Sequence, residues 1–186
     1  VRRKEQGDAV ASSEERQDPF APSPGAHHLV RYLQHARREL RRAVDGMTAA
    51  DLERRVGGIN SVAWMVGHLA AQEQGYWLTS RGEPQLADLD AYRRGRPDTP
   101  PAFEGLFAAW ESITAAADGW LVGLSAQDLR SHLPGRRLFE QENIGTLLTR
   151  TSGHYYLHIG QITAVRRLLD ASVPPFVGSQ EGAEYR

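Results

Sequence analysis

The chain has 186 residues, 40% hydrophobic and 24% charged, and its 22 basic and 23 acidic side chains leave a formal charge of -1. That length suits one domain with a substantial core, and the near-neutral balance excludes the electrostatic footprint of a nucleic-acid binder or of a protein held on an anionic membrane. The absence of cysteine excludes disulfides, thiolate metal sites and a cysteine nucleophile, so any thiol chemistry would use a thiol brought from outside.

No apolar run approaches the roughly 20 residues that span a bilayer, and the polar start lacks a signal-peptide apolar region, so a cytoplasmic protein is expected. Residues 1–22 are polar and charged, with almost no large apolar side chain before Phe20. They cannot bury enough surface to offset the entropy of ordering, and a disordered tail is expected. Pro22-Ser23-Pro24-Gly25 punctuates the chain, with Ser23 as a candidate cap. A first helix is predicted from about Pro24 to Gly46, with Leu29, Leu33, Ala36, Leu40, Val44 and Met47 at helical spacing. Arg31, Arg37, Arg38, Arg41 and Arg42 fall mostly elsewhere and are read as a solvated outer face. Thr48 to Leu52 starts a short helical turn that Gly57-Gly58 ends.

Asn60 or Ser61 caps a second predicted helix that reaches about Ser80. Val62, Met65, His68, Leu69, Gln72 and Tyr76 share one face of it, so His68 points where core residues point. Arg81-Gly82-Glu83-Pro84 stops this helix. The polar stretch from there to about Pro101 is a long connection of the kind that crosses a bundle end or lies over a site. A third helix is predicted from about Pro101 to Gly123, with a broad, aromatic-rich face that reads as core. Ser125 to Leu129 begins another short turn, and Leu133 to Glu142, with Pro134-Gly135, holds a short extended piece.

The fourth long helix runs from Asn143 to Asp170 and is stopped by Val173-Pro174-Pro175-Phe176. Ile144, Leu148, Thr151, Tyr155, His158, Ile162, Val165 and Leu169 form its inward stripe, in alternating steps of four and three. No stretch alternates with period two for long enough to suggest a sheet. The expectation is an all-α four-helix bundle over residues 23–171, with tails at 1–22 and 172–186.

His154 and His158 lie four residues apart on one side of the last helix, His158 in the stripe and His154 at its margin, so their imidazoles can chelate one ion. His68 lies on a second core-facing stripe. Burying three imidazoles without a shared partner is costly, and the three are expected to converge on a metal inside the bundle. His27, His28 and His132 are expected at the surface, while His35 lies beside the first stripe and could face the same cavity. Three neutral imidazoles suit zinc, nickel, iron or cobalt, and three protein ligands leave positions open for water or substrate. An ion there could lower the pKa of a bound water or thiol, or polarise a carbonyl oxygen. Gln72, Glu73, Tyr155 and Gln161 stand within a turn or two of these histidines and are candidates to receive their other N–H.

Two segments carry a family resemblance. Ser61-Val62-Ala63-Trp64-Met65-Val66-Gly67-His68-Leu69, followed by Glu73 and Trp77, resembles the second-helix signature of the DinB/YfiT-like superfamily. His154-Tyr155-Tyr156-Leu157-His158-Ile159-Gly160-Gln161-Ile162 resembles its last-helix motif, a histidine pair followed by Gly-Gln. The likeness runs in outline from about Pro24 to Asp170. It implies a four-helix bundle that holds a divalent metal through one histidine of the second helix and two of the last, roles that map onto His68, His154 and His158. In the related mycothiol-dependent maleylpyruvate isomerase branch one last-helix ligand is a glutamate; with His154 there, this chain looks more like the three-histidine branch.

The resemblance also implies a small-molecule substrate, a homodimer, and a low-molecular-weight thiol such as mycothiol, bacillithiol or glutathione as cosubstrate. The Arg- and Ala-rich composition, with the single lysine Lys4, is what a high-GC genome encodes, which favours an actinobacterial source and so mycothiol. The expected function is a metal-dependent enzyme that activates the thiol for transfer to a small electrophile. The alternatives are a metal-dependent hydrolase of a small amide or ester, a bundle that binds metal and ligand without turnover, and a plain bundle whose histidines are packed.

Overall fold

Four of the helices begin where a side chain supplies an acceptor for their orphaned amides. The computed structural model describes residues 22–96, 103–134, 142–175 and 177–180. Helix α1 (His28–Val44) is capped by the His27 imidazole, which accepts from the Leu29 amide at 3.2 Å. Ser23, expected as the cap, instead exchanges two hydrogen bonds with the Gln34 side chain. Thr48 caps the short α2 (Ala49–Glu53), Ser61 caps α3 (Val62–Glu73) and Asn143 caps α5 (Ile144–Leu168). Helix α4 covers Phe103–Leu121. Among the described residues the fold is all-helical, with five α-helices and no strand beyond an isolated bridge between Val56 and Ile59.

Most of the expected N-terminal tail, the Pro101 helix start, most of the expected extended piece (135–141), Phe176 and residues 181–186 lie outside the described residues. No described helix is long and apolar enough to cross a membrane.

Helices α1 and α5 pack along each other, as do α3 and α4, whereas α3 and α5 touch sparsely. The predicted stripe of α5 is the buried one: Leu148, Thr151, Tyr155, Ile162 and Val165 are fully enclosed, and His158 is 5% exposed. Leu33 and Leu40 of α1, Met65 and Leu69 of α3, and Trp110 and Ile113 of α4 complete the core. Each such side chain contributes roughly 1.5–3 kcal/mol by leaving water.

The arginines of α1 depart from the solvated face expected of them. Arg37 has no exposure and Arg31 is 6% exposed; Arg37 is buried against acidic partners from α3 and α4. Arg37 forks onto Glu73 at 2.8 and 2.6 Å and reaches Asp118 at 2.6 Å. Beyond α5 the chain turns back along α1. Pro175 O accepts from Arg42, the Gly178 amide donates to Glu39, and Ser179 O accepts from Arg38.

Helix α3 continues through a π-helical turn, Gln74–Leu78, and a 3-10 turn, Thr79–Arg81, before Gly82 leaves it with φ at 83°. The following connection folds back onto α3. The Gln74 amide holds it by accepting from Leu86 and Ala87 amides and donating to Ala87 O. Leu89 and Tyr92 are buried there. The Tyr92 ring lies where a Cβ on Gly67 would stand, 2.6 Å from the nearest ring atoms. Glycine at 67 is therefore what lets the connection settle against α3, one residue before His68.

Candidate metal centre

Helix α3 presents His68, and α5 presents His154 and His158 one turn apart. One potential ligand atom from each lies within 4.8 Å of the others. The imidazole centroids are 5.0 Å apart for His68 and His154, 5.6 Å for His68 and His158, and 4.6 Å for the α5 pair. Among the described residues this is the one cluster of three or more His, Asp or Glu close enough to share an ion.

Each ring is oriented by an acceptor on its Nδ1. His68 donates to Tyr92 O at 2.6 Å, His154 to Gln72 Oε1 at 2.7 Å and His158 to Gln161 Oε1 at 2.7 Å. Gln72 is oriented in turn, its Nε2 donating to Tyr76 OH at 3.3 Å. The indole of Trp64 stacks on His68, with centroids 4.8 Å apart and planes 11° from parallel. An acceptor at Nδ1 selects the tautomer with its proton there and leaves Nε2 as a lone pair.

That tautomer choice has an electrostatic consequence. Nε2 of His154 and Nε2 of His158 stand 3.0 Å apart, and with both Nδ1 atoms protonated no proton lies between them. Two lone pairs at that distance repel unless a cation is shared. Nitrogen–metal bonds of about 2.0–2.1 Å put two ligands of one ion at about this separation. The donor set, three neutral imidazole nitrogens with no thiolate or carboxylate, is therefore compatible with a divalent transition metal.

The same burial keeps the rings neutral. Desolvation, then the neighbouring His158 and His68, push the His154 pKa down to about 3. Desolvation lowers His158 to about 4, with the Gln161 bond opposing and His68 reinforcing the shift. His68 is lowered by burial first, opposed by the Tyr92 carbonyl and reinforced by Arg94. All three lone pairs are thus available at neutral pH without competition from protons.

Of the four neighbours expected to receive imidazole N–H groups, Gln72 and Gln161 do so. Glu73 and Tyr155 instead bond each other, Tyr155 OH to Glu73 Oε1 at 2.8 Å, on the side of α5 facing α1 and α4. Tyr92 was missed, since its contribution is a backbone carbonyl and no side-chain pattern announces one. Trp64 lies within the second-helix motif four residues before His68, a spacing that stacks rings on one helix face. His35 does not join the cluster. It is buried between Tyr156 OH and Ser179 O, each at 3.1 Å. His27 is a helix cap, His28 is half-buried and stacks on Tyr32, and His132 is exposed.

A family model described as the DinB superfamily matches residues 32–162, a span that contains all three histidines. No curated protein and no solved structure gives a match.

Proposed function

This chain belongs to the DinB superfamily, and from that premise we propose that it is a metal-dependent enzyme that uses His68, His154 and His158 as ligands and transfers a low-molecular-weight thiol, mycothiol or a close analogue, to a small electrophile. In this reading the four long helices form a four-helix bundle over residues 23–171, and the protein acts as a homodimer in the cytoplasm without nucleic-acid or membrane partners. One observation carries the metal assignment: ligand atoms of three imidazoles lie within 4.8 Å of one another while every Nδ1 is engaged by Tyr92, Gln72 or Gln161. Zinc, nickel and iron all suit such a donor set.

A divalent ion held by three imidazoles keeps positions open and supplies acidity to a thiol or water that it ligates. The residues of the chain supply the rest. Gln72, Gln161 and Tyr92 O hold the ring tautomers, which keeps the ligand atoms aimed at one point. The buried Trp64 indole covers one face of the His68 ring. With no cysteine in the chain, the sulfur nucleophile has to arrive with the cosubstrate.

Metal analysis of wild type beside His68→Ala and His154→Ala tests the ligand set. About one equivalent of a transition metal in wild type, lost in both variants, is expected. Its absence from wild type protein would remove the enzyme reading. Turnover of electrophiles with and without added thiol then tests the reaction, and turnover that ignores thiol would assign water as the nucleophile.

A further inference from the structure

The histidine centre is divided between α3 and α5, which belong to different closely packed pairs. Helix α5 packs on α1 and α3 packs on α4, while α3 and α5, which carry the ligands, have few contacts of their own. One apolar core joins all four long helices, and polar links also cross between α3 and α5.

Those links stand in register. On α3, Gln72 reaches His154 and the next residue, Glu73, reaches Tyr155, which itself follows His154 on α5. Glu73 is held by both arms of the Arg37 guanidinium of α1. Arg37 also takes Asp118 of α4 at 2.6 Å, and Asp118 accepts from Gln34 of α1 at 3.0 Å. Tyr155 OH accepts from Trp110 Nε1 of α4 at 2.7 Å. All four long helices therefore meet at one buried polar node, one residue along from the ligand pair. Arg37, Glu73, Tyr155 and Trp110 have no exposure at all.

A buried ion pair is a poor source of net stability, because desolvating two charges offsets most of their attraction; its best-attested use is to fix one register among several. We propose that the Arg37–Glu73–Tyr155 node is a positioning device that sets the rotation of α5 against α3, so that His154 and His158 face His68 at ligand distance. Arg37, Glu73 and Tyr155 are positioning residues; none of them hydrogen-bonds to an imidazole of the centre. The inference rests on the metal reading above, since what it positions is the ligand set.

Tyr155→Phe is the deciding variant, because it keeps the ring and the ion pair and removes only the hydroxyl that joins α5 to Glu73. A second variant, Arg37→Met/Glu73→Leu/Tyr155→Phe, replaces the node with apolar groups of similar volume. Binding of cobalt(II) alone would be measured by competition with a chelator, and its ligand-field spectrum recorded as a report of site geometry. Ile113→Val, a core truncation away from the node, is the control for loss of packing.

The expected result is a loss of cobalt affinity of about tenfold or more with an altered spectrum in Tyr155→Phe, the range seen when a ligand's supporting group is removed. Ile113→Val should keep both affinity and spectrum. The triple variant, if folded, should show the same loss even where its unfolding midpoint matches or exceeds that of wild type. Wild-type affinity and spectrum in folded Tyr155→Phe overturn the inference and leave the metal reading intact. A wild-type protein that binds no cobalt overturns both.

Discussion

Replacing Gly67 by Ala would test how closely the chain's folding is tied to its site. A Cβ there stands 2.6 Å from Cγ and Cδ1 of Tyr92 and 3.0 Å from Cε1. An ordinary contact begins at 3.4 Å, so the ring has to withdraw by roughly 0.8 Å, and crowding of this kind costs about 1–3 kcal/mol. Ala is favoured over Gly inside a helix by about 1 kcal/mol, so the net loss of apo stability should be no more than about 2 kcal/mol. The site should suffer more than the fold. Tyr92 O holds the His68 Nδ1 proton at 2.6 Å; moved outward with its ring, it leaves the range of an effective hydrogen bond, and His68 loses its orientation. Urea denaturation of the metal-free protein would give the first quantity, and zinc competition against a chromophoric chelator the second, with a loss of about 10–100-fold expected. Undiminished zinc affinity in folded Gly67→Ala would refute the claim that the connection orients His68.

The lowered pKa values of His154 and His158, about 3 and about 4, make the metal-free fold sensitive to acid. Both lie below the unfolded value near 6.5, so the unfolded chain binds more protons below that pH. Their contribution is complete above about pH 6.5 and is lost as pH falls through the folded values; His154→Gln/His158→Gln should show a flatter profile of urea midpoint against pH over that window, and identical profiles would contradict the shifts. Glu73→Ala leaves the fully buried Arg37 with Asp118 as its remaining carboxylate partner, and should cost about 3 kcal/mol in chemical denaturation, the low end for breaking a buried pair. Ser61→Ala removes the cap that accepts the Trp64 amide at 3.2 Å and should lower stability by about 0.5–2 kcal/mol without changing metal stoichiometry.

Much of this protein is written in its spacing. Period and caps locate the helices, because an amphipathic helix repeats its buried face every three or four residues and its first amides need a nearby acceptor. The α5 stripe from Ile144 to Val165 is buried as its spacing required, and His154, His158 and His68 stand on faces that a fold of this class turns inward. Gln72 and Gln161 could be suggested from sequence because each lies within a turn of a histidine.

Tertiary structure alone decided the partners. Periodicity tells which face of a helix is covered, never by what, and so the arginines of α1 read as a charged outer face while Arg37 is sealed between Glu73 and Asp118. His35 shares the burial of the site histidines but faces Tyr156 and Ser179 instead, a choice set by how α1 rotates against α5. The Tyr92 carbonyl bears no side-chain signature, and its contact with His68 exists because a long connection folds back over a glycine. A helix face is a local property of the chain, whereas a hydrogen-bond partner 24 or 82 residues away depends on how whole helices pack.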